Sequence, residues 1–188
     1  MRQRFGIVLV IAVTMTACGR SPKTHFYTLD AVPAAPRAEH AARSDAPVTV
    51  GRVELPGTLD RLSIVTRGDR NQVSVSDQDR WAAPLDELVR RALTDDLRMR
   101  LPPGTVLAPG DGAPNGARSL ALNVQHFMAD QSGRVDLDAE WTLQRRDKPG
   151  APQHAAIQVN ATGQDDGATA AAMSQALGEL ADRIAAEL

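Results

Sequence analysis

Side chains able to do chemistry fall into three groups in this chain of 188 residues. Asp136, Asp138 and Glu140 recur at alternate positions. In an extended strand that spacing puts all three carboxylates on one face, where they could clamp a cation or divide acid and base duties. The same alternation leaves Val135, Leu137 and Trp141 on the other face, and a sheet with one wet face accounts for it without further assumption. Asp165 and Asp166 precede a helical pattern; they could hold a metal or, more simply, cap that helix and complement its dipole. The histidines, His25, His40, His126 and His154, are scattered, and none stands beside a carboxylate at helical spacing. Each reads as solvent-exposed or incidental. There is no G-x-S-x-G elbow, H-E-x-x-H motif, phosphate loop or G-x-G-x-x-G turn. The expectation is a non-enzyme with no catalytic residue, no metal and no dissociable cofactor.

The third group is a single residue. Cys18 is the only cysteine, so it has no disulfide partner within the chain. Arg2 and Arg4 precede an apolar run from Phe5 to Met15, and the small residues Thr16 and Ala17 follow. That is the order of a signal peptide, and the run is too short to span a bilayer. Met15-Thr16-Ala17-Cys18 resembles the bacterial lipobox, in which the thiol takes a diacylglycerol and becomes the new N-terminus. An ordinary secretory signal with a free thiol, or an uncleaved anchor, are the alternatives. A lone reactive thiol outside the cytoplasm and the shortness of the segment weigh against them. The several acyl chains of a lipoprotein N-terminus anchor stably where one would not. Gly19 after the cysteine favours, by resemblance to enterobacterial lipoproteins, the periplasmic face of the outer membrane.

Removing residues 1–17 takes two arginines and no acids, leaving 19 Lys+Arg against 23 Asp+Glu, a net −4. With no basic block, nucleic acid is not the expected partner. Aromatics are 3% of the chain, so the core must be aliphatic and an aromatic-lined sugar cleft is not expected. Residues 1–17 read as the signal, 18–47 as a lipidated N-terminus with a short strand and an Ala/Pro-rich linker, and 48–188 as one periplasmic domain.

Thr24–Leu29, Val48–Leu55, Ser63–Arg67 and Gln72–Ser76 read as strands, the last two joined by a Gly68–Asn71 turn. From Pro84 to Leu101 a stripe of Leu85, Leu88, Val89, Leu93 and Leu97 predicts a helix that Pro102-Pro103 stops. Ser119–Asp130 and Arg134–Arg146 alternate strictly about Gln131-Ser132-Gly133, a hairpin. His154–Ala161 adds a strand and Thr169–Leu188 a second amphipathic helix. A half-buried sheet and two helices with apolar stripes cover one another in an α+β two-layer sandwich, with a mixed, mostly antiparallel sheet and both helices on one face.

One stretch is more specific. Val48-Thr49-Val50-Gly51-Arg52-Val53-Glu54-Leu55-Pro56, then Leu59-Asp60-Arg61, then Ile64-Val65-Thr66-Arg67, and Arg80-Trp81-Ala82-Ala83-Pro84-Leu85 resemble the signature of the ABC-type transport auxiliary lipoproteins. Phe26-Tyr27-Thr28-Leu29, the hairpin around Phe127 and the C-terminal helix extend the likeness; Thr58, Leu62 and Ala83 depart from it. The resemblance implies a non-catalytic subunit of an MCE-type lipid transport system that supports envelope integrity. It implies as partners the membrane, an MCE-domain tunnel protein and that protein's inner-membrane partner, with a homo-oligomer possible by the same analogy. The other role open to such a lipoprotein is structural, scaffolding an outer-membrane complex without moving lipid. If the transport role holds, Leu55, Pro56, Leu59, Asp60 and Arg61 form an exposed contact loop that Arg80 and Trp81 extend. The simpler account is that Pro56 ends a strand, Asp60 and Arg61 pair locally, and Trp81 packs over the first helix.

Overall fold

The structure, a computed structural model, describes residues 22–34, 46–145 and 148–188. Cys18, the signal segment and His40 lie outside these residues. The strands are β1 (His25–Tyr27), β2 (Val48–Glu54), β3 (Ser63–Arg67), β4 (Val73–Trp81), β5 (Arg118–Asp130), β6 (Arg134–Arg145), β7 (Lys148–Pro149) and β8 (Gln153–Asn160). Helix α1 (Leu85–Arg100) stands between β4 and β5, and α2 (Asp166–Ala185) closes the chain. All the strands share one mixed sheet, and both helices lie against one of its faces. That is the α+β sandwich expected from the patterning.

The alternation that predicts the central hairpin is also what makes it. Val135, Leu137, Ala139 and Trp141 of β6 turn inward, while Asp136, Asp138 and Glu140 stay partly exposed on the outer face. On β5, Leu120, Leu122 and Val124 point inward, but the register then shifts between Val124 and His126. This β-bulge reverses the phase, so Phe127 and Ala129 continue the inner face and Met128 turns outward. β2 and β3 both run parallel to β5 along its other edge, β2 beside Arg118–Asn123 and β3 beside Ala129–Asp130. The chain leaves the sheet between them, and residues 55–62 form the excursion.

The Gly68–Asn71 turn is present: the Gly68 amide donates to the Gln72 carbonyl (3.0 Å), and Arg70 takes φ 54°. Pro84 stands one place outside α1 as its N-cap rather than as its first residue, and its carbonyl accepts from the Leu88 amide (3.1 Å).

The N-terminal segment departs from the expected layout. β1 pairs in parallel with the end of β4, Tyr27 beside Trp81, and the Tyr27 carbonyl accepts from the Ala82 amide (2.8 Å). Asp30 and the two residues after it, which the sequence reads as the start of an Ala31–Pro47 linker, are clamped to both helices. The Asp30 amide donates to Ser174 Oγ (3.2 Å) and the Val32 amide to Asp96 Oδ1 (2.9 Å). Arg100 Nη1 donates to the Val32 carbonyl (3.1 Å) and to Asp96 Oδ1 (3.0 Å), while its Nε reaches Asp182 (3.0 Å). Gly178 makes room for the crossing, since a Cβ there would stand 3.2 Å from Val32 Cβ. The Ala/Pro-rich stretch therefore begins and ends on the folded domain.

Candidate partner-docking corner

The two sequence segments most specific to the resemblance meet at one corner. After β2, the Leu59 amide donates to the Pro56 carbonyl (2.8 Å) and the Arg61 amide to the Leu59 carbonyl (2.8 Å), two tight turns in succession. The Leu62 carbonyl then accepts from the Trp81 amide (2.6 Å), tying the excursion to the end of β4 just before α1 starts. A shallow cleft of about 340 Å³ opens on the helix side, with Leu55, Gly57 and Asp60 on one wall and Leu85 and Asp86 of α1 on the other.

The candidate residues divide by burial. Asp60 and Arg61 are exposed, and Leu55 and Pro56 are half-buried at the rim. Leu59 and Trp81 are each only 3% exposed. The expectation of a wholly exposed contact loop is corrected there: an apolar side chain in a turn this tight can fold back into the core, and Leu59 does. These two residues shape the corner from beneath. No ion pair joins Asp60 to Arg61 among the described residues, so both charges face solvent. Arg80 is exposed, but it stands in a row with Phe26 and Ser63, its register partners, on the outer face of the sheet.

The titratable groups form structural pairs. On the outer face His154 Nε2 lies 2.6 Å from Asp138, Gln158 donates to Asp136 (2.9 Å), and Arg67 and Arg134 approach Asp136 at 3.6 Å. The carboxylate row is a wet, partnered face, and no metal-holding group of three ligands occurs among the described residues. Asp165 caps α2, accepting from the Ala168 amide (2.7 Å). Asp166 beside it meets Asp79: burial first, then the Asp79 charge, raises its pKa above the ordinary carboxylate value. Asp79 is held low, chiefly by hydrogen bonds from His25 and Ser76. His25 and His154 thus both sit against carboxylates across strands, where helical spacing gives no sign of them. Asp96 is fully buried with Oδ2 unpartnered among the described residues, and burial pushes its pKa up to about 6 despite Arg100.

Comparison with known proteins places these features in context. The model of a family described as the ABC-type transport auxiliary lipoprotein component matches residues 27–185. The intermembrane transport lipoprotein PqiC of Escherichia coli (strain K12) is 26% identical over 140 residues, 73% of this chain and 72% of that protein; PqiC of Shigella flexneri gives the same figures. Among solved structures, an uncharacterized protein superposes with a TM-score of 0.74 at 18% identity, covering 88% of this chain and 99% of its own. A Xanthomonas campestris protein does so with 0.67 at 16%, covering 85% and 92%. These likenesses show that the fold is shared.

Proposed function

The chain belongs to the ABC-type transport auxiliary lipoprotein family, and from that premise we propose that it is a non-catalytic outer-membrane subunit of an MCE-type intermembrane lipid transport system. It is held at the periplasmic face by acyl chains on Cys18, and it receives the tunnel protein at the corner formed by Leu55, Pro56, Asp60 and Arg61. The observation that carries this reading is the family match from residue 27 to residue 185, supported by the curated relatives named as intermembrane transport lipoproteins.

The geometry suits the role. A lipid anchor confines the domain to one surface and raises its effective concentration for a tunnel that arrives there. Two exposed, unpaired charges flanked by half-buried Leu55 and Pro56 make a contact with a small apolar centre and a polar rim.

The test is immunoprecipitation of the lipidated protein from detergent-solubilised envelopes, with Cys18→Ala as the control. An MCE-domain protein should be recovered, with less from the control and less from an Asp60→Arg, Arg61→Glu variant. Recovery of outer-membrane assembly or peptidoglycan-binding proteins instead would reject the transport role in favour of a structural scaffold.

A further inference from the structure

The outer face of the sheet is not uniform. Over β5, β6 and β8 it is polar and internally paired. Over β1, β4 and β3 it leaves Phe26, Val73 and Val75 exposed among Arg67 and Arg80, while Val65 and Met128 between them are buried. Val65 faces Val75, and Arg67 faces Val73, across the β3–β4 ladder. Met128 lies one step back in the register that sets Thr66 beside Ala129, so it stands next to Val65 on this face. Phe26 continues the surface on β1, beside Arg80. Phe26 is 65% exposed, Val73 50% and Val75 40%, among the largest exposures of big apolar side chains among the described residues.

We propose that this apolar half-face, centred on Phe26, Val73 and Val75 with Arg80 at its margin, rests on the lipid surface to which the chain is tethered. The inference rests on the lipoprotein reading and adds an orientation to it. The tether length identifies the occupant. Because β1 is part of the sheet, only six residues lie between Cys18 and His25, seven steps of chain with a reach of roughly 25 Å when fully extended. A domain of this size is about 35–40 Å across, so the flank carrying β1 must stay near the bilayer.

The chemistry of the patch agrees. An exposed aromatic ring and branched aliphatics bury into the headgroup–acyl boundary, while an arginine lays its stem on them and meets phosphate with its head. Arg67, Arg70 and Arg80 stand on this flank with Asp69 and Asp77, and Arg67 pairs with Asp136 (3.6 Å), so the flank carries no net negative charge to repel anionic lipid. Sheet twist removes the conflict with the carboxylate half. Three strand steps from β4 to β6, each turning by about 20–25°, rotate that half roughly 60–75° away from the lipid plane. Seated this way, the cleft at Leu55–Arg61, on the helix side of the sheet, points into the periplasm.

The full-length lipidated protein in vesicles of phosphatidylethanolamine and phosphatidylglycerol tests this. Acylation of Cys18 leaves no other thiol, so Phe26→Cys, Val75→Cys and, as the polar-half control, Gln158→Cys each accept one environment-sensitive fluorophore. Circular dichroism confirms that each variant is folded. Probes at 26 and 75 should brighten severalfold on reconstitution and be quenched by doxyl-labelled lipid, while the probe at 158 stays dim and unquenched. Equal, unquenched emission at all three sites would overturn the proposal. So would brightening that follows protein concentration without lipid, which would assign the face to a second copy. If the wild-type chain failed to float with vesicles at all, the anchor reading would fall first and this proposal with it.

Discussion

On the β5–β6–β8 half of the outer sheet face, alternate side chains are polar and find partners on the neighbouring strand: His154 with Asp138, Gln158 with Asp136. On the β1–β4–β3 half, the same outward positions hold Phe26, Val73 and Val75, which stay exposed, and Val65, which its neighbours bury. Backbone and pleat are common to both. What differs is that a polar outer row satisfies itself through cross-strand pairs and water, whereas an apolar row gains free energy only when something covers it. The first half is complete as it stands, and in the seating proposed above the second is the half that meets lipid. The halves also differ in what holds them. The polar half is a continuous hairpin, while β1 is three residues long and depends on the clamp at Asp30 and Val32.

That dependence gives the largest expected effect. Asp96→Ala leaves Asp182 as the one carboxylate paired with the buried Arg100 among the described residues and frees the Val32 amide, a change that costs about 3–5 kcal/mol where a buried pair is broken. In chemical denaturation the variant should lose stability on that scale. In hydrogen exchange, protection should vanish at residues 25–32 while β6 and β8 keep theirs. Equal loss in both halves would erase the distinction drawn between them.

The same carboxyl sets a pH dependence. Its folded pKa, about 6, lies above the ordinary 3.8, so the folded state holds the proton more tightly than the unfolded chain does. The stabilisation from protonating Asp96 is fully present below about pH 4 and is lost as pH rises through about 6, with a size on the order of 3 kcal/mol. Stability measured at steps from pH 4 to 7 should carry this downward component, and Asp96→Asn, which keeps an acceptor for Val32, should remove it. A profile identical in wild type and variant would show that Asp96 does not titrate in that window.

Smaller effects sharpen the contrast. Asp165→Ala removes the α2 cap and should cost about 1 kcal/mol in thermal or chemical unfolding. Asp138→Asn and Val75→Ser form a matched pair, one on each half. The first weakens a partly exposed pair and should cost no more than about 1 kcal/mol. The second should move stability by only about 0.5 kcal/mol, because Val75 is packed on one side only. Their order reverses at a lipid surface: vesicle flotation of the lipidated protein in competition with detergent should weaken for Val75→Ser and stay unchanged for Asp138→Asn. The same response from both would mean that the two halves are equivalent there.

Periodicity carried much of the architecture. Leu85, Leu88, Val89, Leu93 and Leu97 at helical spacing, and Val135 to Trp141 alternating with carboxylates, each specify an element and its buried face, because side-chain direction repeats with the local backbone. The bulge after Val124 was not legible. Phe127, Met128 and Ala129 are consecutive and apolar, so nothing in their pattern marks the reversal of phase that sends Met128 outward. The Leu55–Arg61 loop was legible as a motif, but the burial of Leu59 and Trp81 beneath it was not, since a side chain's depth in a turn depends on what the chain returns to cover it. Asp96 and Arg100 stand in the amphipathic helix like any exposed i,i+4 pair; only α2 and residues 30–32, packed from elsewhere, make them a buried clamp.

By itself, then, the sequence determined what depends on neighbours along the chain: the lipobox-like pattern before Cys18, the helices and the hairpin. Tertiary structure decided what depends on residues distant in sequence meeting in space. The pairing of Phe26 with Arg80 and the closing of residues 30–32 onto both helices are long-range contacts. No local period encodes them, because each is fixed by a surface that exists only once the sheet and helices have packed.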